Sequence, residues 1–291
     1  AWGINNGLLE PSLFEKPMVK SWSELIKHVN REGRLGYVQP VGKDPKPYGA
    51  ESWQEFGTGA FLLAASEYVN YLRNPIKKHL ISFTKESLFY KNNFSSKDDL
   101  KSWVLEGDAE VTIKDNWLEM FSPNEKSHHV FWCPKELPGS FMAEWEMQNL
   151  NPNAGLCIVF FSAKGINGLD VMHPSQKKRF GVFNQYTKSD INNYHISYYA
   201  NNPKKPNRPF SHLRKNKGFI TVQYGDKGID ANSNSIHKIR LVKKENHISM
   251  SIDNREIINW KDDGLKYGEP HTGGKFAFRQ MQWSHFRYRN F

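Results

Sequence analysis

The chain is poor in cysteine, in long apolar runs and in contiguous charge, and each shortage removes a class of protein. Its two cysteines, Cys133 and Cys157, sit in apolar strand-like runs. They make no disulfide framework, and a buried free thiol is the expected state of each. A chain of 291 residues buries a full-sized core without cross-links. No apolar stretch approaches the roughly 20 residues that cross a bilayer, so no membrane span is expected. Basic residues come as short groups, such as Lys77-Lys78, Lys177-Lys178-Arg179 and Lys243-Lys244. With no long tract and no recognition motif, nucleic acid is not the expected partner. Internal repeats and low-complexity segments are missing too. The given residues read as lacking a signal peptide, but Ala1 to Leu9 read as the middle of a helix and its Gly cap, so the native N-terminus is expected upstream and that reading excludes nothing. The chain assigns no compartment by itself, and a periplasmic setting is favoured over a cytoplasmic one.

What is present is an excess of positive charge, 40 Lys and Arg against 30 Asp and Glu, for a formal charge of +10. That balance calls for a polyanionic partner. The pattern of apolar residues then divides the chain. Ser21-Trp22-Ser23-Glu24 has capping-box spacing, with Trp22, Leu25, Ile26 and Val29 following at helical intervals. Gly57 to Arg73 predicts a second helix with Phe61, Leu62, Ala65, Tyr68, Val69 and Leu72 as its apolar stripe. After Asn74-Pro75 the period changes. From Leu88 onward short alternating runs are separated by Asn, Asp, Gly and Pro: Ala109 to Ile113, Phe141 to Met147, Leu156 to Phe161, Tyr194 to Tyr199, Phe219 to Tyr224, Ile236 to Val242, His247 to Ile252 and Lys275 to Phe278. Asp253-Asn254-Arg255 between two apolar runs is a hairpin signal. The expected fold is mainly β, a concanavalin-like β-sandwich or jelly roll over 88–291, joined by a linker at 76–87 to a helical appendage at 1–75.

Two resemblances refine this. The segments Gly33-Arg34-Leu35-Gly36-Tyr37-Val38-Gln39-Pro40-Val41-Gly42 and Gly57-Thr58-Gly59-Ala60-Phe61-Leu62-Leu63-Ala64-Ala65-Ser66-Glu67 resemble the C-terminal end of glycoside hydrolase family 105. Those are unsaturated rhamnogalacturonyl and glucuronyl hydrolases with an (α/α)6 barrel. The resemblance implies a remnant of such a barrel, without the catalytic aspartate, which lies upstream in the family. From about Leu88 to Phe291 the chain is similar to the domain of unknown function family 1961, a concanavalin-like jelly roll found in uronate-polysaccharide loci. The residues that carry this are His128-His129-Val130-Phe131-Trp132-Cys133-Pro134, Gly155-Leu156-Cys157, Lys178-Arg179, Asp190-Ile191-Asn192, His195, Ser197-Tyr198, Leu213-Arg214-Lys215, Gly218-Phe219, Asp262-Asp263-Gly264 and Phe278-Arg279-Gln280-Met281. It implies an acidic oligosaccharide as partner and associates the domain with dehydration of uronic acids.

That chemistry, removal of the C5 proton of a uronate and expulsion of the group at C4, needs a cation for the carboxylate, a base and an acid. Strict alternation in Asn193-Tyr194-His195-Ile196-Ser197-Tyr198-Tyr199 puts Asn193, His195, Ser197 and Tyr199 on one polar face. His195 is the first candidate for proton transfer, Asn193 and Tyr199 for sugar contacts. Tyr186 is the candidate donor to the departing oxygen and Lys178 the mobile cation beside it. Arg179 and Arg214 are candidates for a bidentate clamp on a carboxylate or sulfate. His128 and Glu146 complete the set. Glu144 and Glu146, sharing a strand face, open the possibility of a retaining glycoside hydrolase. The same residues are also compatible with a polysaccharide lyase and with a non-catalytic carbohydrate-binding module. His128-His129 point opposite ways on a strand, so no metal site is expected there. No cofactor is expected; Asp262-Asp263-Gly264 leaves room for a structural calcium, although a tight Asp-Gly turn accounts for it as well. Trp132 and Trp260 read as core.

Overall fold

The computed structural model describes residues 1–5, 8–9, 11–42, 47–73, 87–124, 128–201, 210–281 and 283–291. The linker expected at 76–87 lies outside them apart from Ser87. The chain divides into two compact units, Ala1–Thr84 and Lys85–Phe291.

The first unit carries helices α1 (Trp2–Asn5), α2 (Pro11–Leu25) and α3 (Glu55–Arg73). Ser21 and Glu24 lie inside α2, so the Ser-x-x-Glu pattern starts no helix there. Trp22 stacks on Phe61 at 5.5 Å and on Tyr68 at 4.9 Å. The buried residue of α3 is Tyr71, which bonds the Glu15 carboxylate, while Leu62 and Leu72 of the expected stripe are 61% and 50% exposed. Much of this unit's apolar surface therefore faces outward.

The second unit is a sandwich of two antiparallel sheets. Its strands are β1 (Val104–Gly107), β2 (Glu110–Lys114), β3 (Trp117–Phe121), β4 (His129–Leu137), β5 (Phe141–Asn149), β6 (Gly155–Gly165), β7 (Ile191–Asn201), β8 (Phe210–Asn216), β9 (Ile220–Lys227), β10 (Ile236–Lys244), β11 (His247–Ile252), β12 (Arg255–Lys261), β13 (Gly274–Gln280) and β14 (His285–Arg289). Sheet A has the order β1-β4-β13-β6-β7-β8-β9 and sheet B the order β12-β11-β10-β5-β14-β3-β2. Asp253 and Asn254, at φ of 50° and 65°, make the two-residue turn between β11 and β12, and Asp115-Asn116 make the same turn between β2 and β3. Both central residues lie in the left-handed region, as this hairpin type requires. The used capping box is Ser96 with Asp99, opening a short 3-10 turn at Lys97–Leu100.

Between the sheets lies the main core, in which Trp145, Phe161, Tyr198, Phe276, Phe278 and Tyr288 are all buried, along with both cysteines, which are free. Sheet A has a second, smaller core on its outer face: Val130, Trp132, Phe160, Val171, Tyr186, Ile191 and Ala277. A sheet face acquires such a core only when something covers it. Here the cover is the β6–β7 connection, residues 166–190, which includes a single helical turn, α4 (Asn184–Thr187). Gly181 sits against the sheet at φ +81°, and a Cβ there would meet the His128 carbonyl oxygen at 1.9 Å. A side chain at this position would lift the cover off the strands.

Candidate functional site

Strand pairing sets two rows of side chains across the outer face of sheet A. One runs Glu106, Val130, Arg279, Ile158, Ser197, His212; the next runs Val104, Trp132, Ala277, Phe160, His195, Arg214. His195 and Arg214 are thus direct cross-strand neighbours, and Arg279 lies one row away on the far side of β6. This face and the underside of the 166–190 cover form the candidate site.

At one end sits Glu106, which collects four donors. Arg179 grips it with two bonds, Nη2 to Oε1 at 2.8 Å and Nε to Oε2 at 3.1 Å. Tyr186 Oη donates to Oε2 at 2.8 Å and Trp132 Nε1 at 2.9 Å. Arg179 also donates to the Val171 carbonyl at 2.7 Å, and the Gly181 N–H donates to Tyr186 Oη at 3.0 Å. This corrects two sequence expectations. The Arg179 fork already holds a carboxylate of its own chain, and the Tyr186 phenol is fully buried and spent on the same carboxylate. Burial and the Glu106 charge raise that phenol well above the usual tyrosine range. Both residues fasten the cover to the sheet.

Toward the middle, Arg279 is completely buried, and no described residue accepts a hydrogen bond from its Nε, Nη1 or Nη2. Its guanidinium lies 4.3 Å from the centre of the Phe183 ring. Burial pushes its pKa down to about 9, which still leaves it cationic at neutral pH. A cation–π contact is worth about 2 kcal/mol when desolvated. Burying a lone ion costs several kcal/mol even after relaxation, so the ring does not offset it. His128, half-buried just before β4, feels the same charge: burial first and Arg279 second lower its pKa below the usual 6.5, which favours the neutral ring at pH 7.

His195 is fully buried beneath Phe183 and Phe219, with ring centres 5.7 and 5.9 Å away, and packs on Phe160 at 5.6 Å. Phe183 comes from the cover and Phe219 from the β8–β9 turn; they meet edge to face at 5.4 Å. His195 Nδ1 lies 2.8 Å from Asn216 Nδ2. The same Nδ2 donates to Asn193 Oδ1 at 2.7 Å, and Asn193 Nδ2 donates to the Tyr186 carbonyl at 2.7 Å. His271 donates from Nε2 to the Asn216 carbonyl at 2.6 Å; burial pushes its pKa down to about 4. Arg214 is held by Thr221 Oγ1 at 3.1 Å and His212 Nδ1 at 2.9 Å, with its guanidinium 4.5 Å from the Phe219 ring centre.

The structure therefore brings His195, Asn193 and Arg214 together and separates others. Lys178 is exposed on the cover. Tyr199 is on the wrong face: Cys157 and Ile158 of β6 pair with Tyr199 and Ser197, so β7 bulges at Tyr198 and both Tyr198 and Tyr199 enter the inter-sheet core. There Tyr199 bonds the Ala231 carbonyl at 2.6 Å and Asn149 at 2.8 Å. Glu146 is on the outer face of sheet B, on the opposite side of the sandwich, where Arg289 holds it at 2.6 Å and Arg240 holds Glu144 at 2.8 Å. Asp262 bonds Lys215 at 2.7 Å and Tyr194 at 2.6 Å, and its Oδ1 takes the Gly264 N–H of the Asp-Gly turn. Sequence reasoning does not single out Arg279, Asn216, Phe183 or Phe219 as site residues. The available signal is Arg279 itself, a cation next to Phe278 and two residues from Ala277 in a strand that has Lys275 as its only other charge.

A family model described as "Domain of unknown function (DUF1961)" matches residues 87–291. The chain belongs to the DUF1961 family. Its sandwich is similar to a Bacillus subtilis protein of unknown function with a galectin-like fold, at 32% identity and a TM-score of 0.64 over 69% of this chain and 93% of that one. The uncharacterized protein YesU of Bacillus subtilis is 33% identical over 213 residues, 72% of this chain and 96% of YesU. Residues 1–72 match a second model, Glycosyl Hydrolase Family 88. A relative in Formosa agariphila named unsaturated 3S-rhamnoglycuronyl hydrolase is 51% identical over 67 residues, 23% of this chain but only 18% of that relative. The glycosyl hydrolase segment ties this DUF1961 chain to carbohydrates.

Proposed function

We propose that the sandwich binds a uronic-acid residue by its carboxylate at Arg279 and promotes β-elimination there, most specifically loss of water across C4 and C5 to leave a 4,5-unsaturated end. One observation carries this: a fully buried guanidinium that no described residue hydrogen-bonds, on a face where the neighbouring Arg179 has a carboxylate of its own. A planar fork in a dry site is completed by a planar anion. The C5 proton of a uronate becomes acidic only when the adjacent carboxylate is neutralised, which Arg279 supplies. The proton passes to a neutral imidazole beside that arginine, the C5–H electron pair forms the C4=C5 bond, and the C4 oxygen leaves with a proton as water. The name of the Formosa agariphila relative specifies an unsaturated glycuronyl substrate, and an activity that makes such ends precedes one that hydrolyses them.

A second reading, a binding module without turnover, is favoured by the engagement of Tyr186, since the phenol expected to act as acid is already bonded to Glu106. The test is incubation with saturated uronate-terminated oligosaccharides, following ultraviolet absorbance of the new double bond and product mass. A mass loss of one water supports the dehydratase. Shorter unsaturated products would make it a polysaccharide lyase, and binding with neither change a binding module. Absence of both binding and turnover across the panel overturns the uronate reading.

A further inference from the structure

We infer that the Phe183 ring is the gate of the Arg279 site: an entering carboxylate displaces this one ring, while the rest of the 166–190 cover stays latched to the sheet. The inference rests on the uronate reading above for what enters, but the gate follows from the packing alone. Arg279 is completely buried, so no anion reaches its guanidinium with the side chains where they stand. Over it lies Phe183, its ring centre 4.3 Å from the guanidinium carbon, and Phe183 is itself only partly buried. One residue thus touches both the buried cation and the solvent.

Two motions would uncover the cation, and their costs differ. Lifting the cover breaks the Arg179–Glu106 fork and the Tyr186 bond to the same carboxylate. It also draws Gly181 from its close fit against the His128 carbonyl. Because the cover carries Phe183, lifting loses every contact that the ring would lose by itself, and the latch besides. Rotating Phe183 alone gives up one cation–π contact and the edge-to-face contacts with His195 and Phe219. A buried carboxylate stripped of its cation is a large further loss, so the ring moves and the latch holds. The placement of Phe183 suits this. It immediately precedes α4, between the anchored residues Gly181 and Tyr186, and its neighbours Val182 and Asn184 are exposed. Phe219 is the fixed side of the gate. It stands in the β8–β9 turn at φ +61°, in the left-handed region that suits glycine or asparagine, and its ring rests 4.5 Å from the Arg214 guanidinium. Such strain persists where the surroundings hold a residue in place, and here it sets the ring against which Phe183 closes.

The experiment is modification of the substrate-free protein by 2,3-butanedione, a dicarbonyl that adds to guanidinium groups, with each arginine followed by the mass of its peptide. Arg240 and Arg255, both partly exposed, report that the reagent is active. Phe183→Ala is expected to speed reaction of Arg279 at least about tenfold over the parent, with Arg179 as unreactive as in the parent. Phe183→Tyr keeps the ring and is expected to react as the parent does. Arg279 reacting at the parental rate in Phe183→Ala overturns the gate. Joint acceleration of Arg179 and Arg279 overturns it too, because the whole cover then lifts. Stopped-flow association of a glucuronate-terminated disaccharide separates the gate from the uronate reading. The observed rate is expected to level off with concentration in the parent, where ring opening limits entry, and to rise linearly in Phe183→Ala. Linear association in both proteins overturns displacement of the ring. No binding to either protein, with Arg279 freed as expected, leaves the gate standing and removes the uronate reading.

Discussion

Two arginines under the same cover, Arg179 and Arg279, show how differently a buried charge can be used. Arg179 comes from the cover and is 6% exposed; Arg279 comes from β13 and is 0% exposed. The first meets Glu106 in a two-bond fork, with Tyr186 and Trp132 filling the remaining acceptor sites of that carboxylate. The second meets a phenyl ring. The Glu106 cluster closes on itself and holds the cover down, whereas no described residue hydrogen-bonds the Arg279 guanidinium, which is where the proposed carboxylate would bind. Sheet B gives the third case, with Glu144–Arg240 and Glu146–Arg289 pairs lying partly in solvent. Charge density alone does not single out a candidate site; burial with no hydrogen-bond partner among the described residues does.

The comparison breaks most visibly if the two arginines respond alike to removal. Arg179→Met leaves Glu106 buried without its cation and should cost about 3–5 kcal/mol, or roughly 10 °C in melting temperature for a domain of this size. Arg279→Met removes a buried charge that no described residue hydrogen-bonds and should melt at or above the parental temperature, while uronate turnover falls at least about 100-fold. Thermal melts and turnover of both variants check this, and a large stability loss in Arg279→Met would mean that the guanidinium is structural.

His195→Ala sharpens the functional half. Loss of this buried imidazole should lower turnover about 100-fold and also cost about 2–4 kcal/mol of stability, because it leaves a cavity beneath Phe183 and Phe219 and takes a partner from the Asn216 amide. Tyr186→Phe tests the structural half, because it removes one bond to Glu106 and one acceptor for the Gly181 N–H. About 1–3 kcal/mol of stability should be lost with turnover close to parental, and a large drop in turnover without destabilisation would return the phenol to the chemistry. The smallest effect belongs to sheet B. Glu146→Gln should change stability by less than about 1 kcal/mol and leave turnover unaltered, since partly exposed ion pairs contribute little.

Much of the architecture is legible because a sandwich is written in period two. Each of the eight alternating runs named from the sequence falls on a strand except for the first residue of two of them, Ala109 and Phe219, and Asp253-Asn254 makes the expected turn. Alternation also carries His195 and Asn193 to the same face. It fails at Tyr199, where one extra residue in the bulge reverses the side-chain direction, a change that no spacing rule registers. Arg179 and Tyr186 lie in the right segment but meet a different partner from the expected one. Glu106 lies 73 residues before Arg179, and nothing local announces that the two meet. Ser21-x-x-Glu24 and Ser96-x-x-Asp99 are alike as patterns, yet only the second starts a helical turn, because the first falls where α2 is already under way. Arg279 escapes sequence reasoning for a related cause: a single arginine at a strand end reads as a surface charge until the cover is placed over it.

The central claim is that Arg279 receives the carboxylate of a uronic acid, and calorimetric titration of the parent and Arg279→Met with a glucuronate-terminated disaccharide and its methyl ester tests it most directly. The account predicts that the parent binds the acid at least about tenfold more tightly than the ester, and that Arg279→Met abolishes this preference. Equal affinity of the parent for acid and ester, or a preference that survives in Arg279→Met, would contradict it.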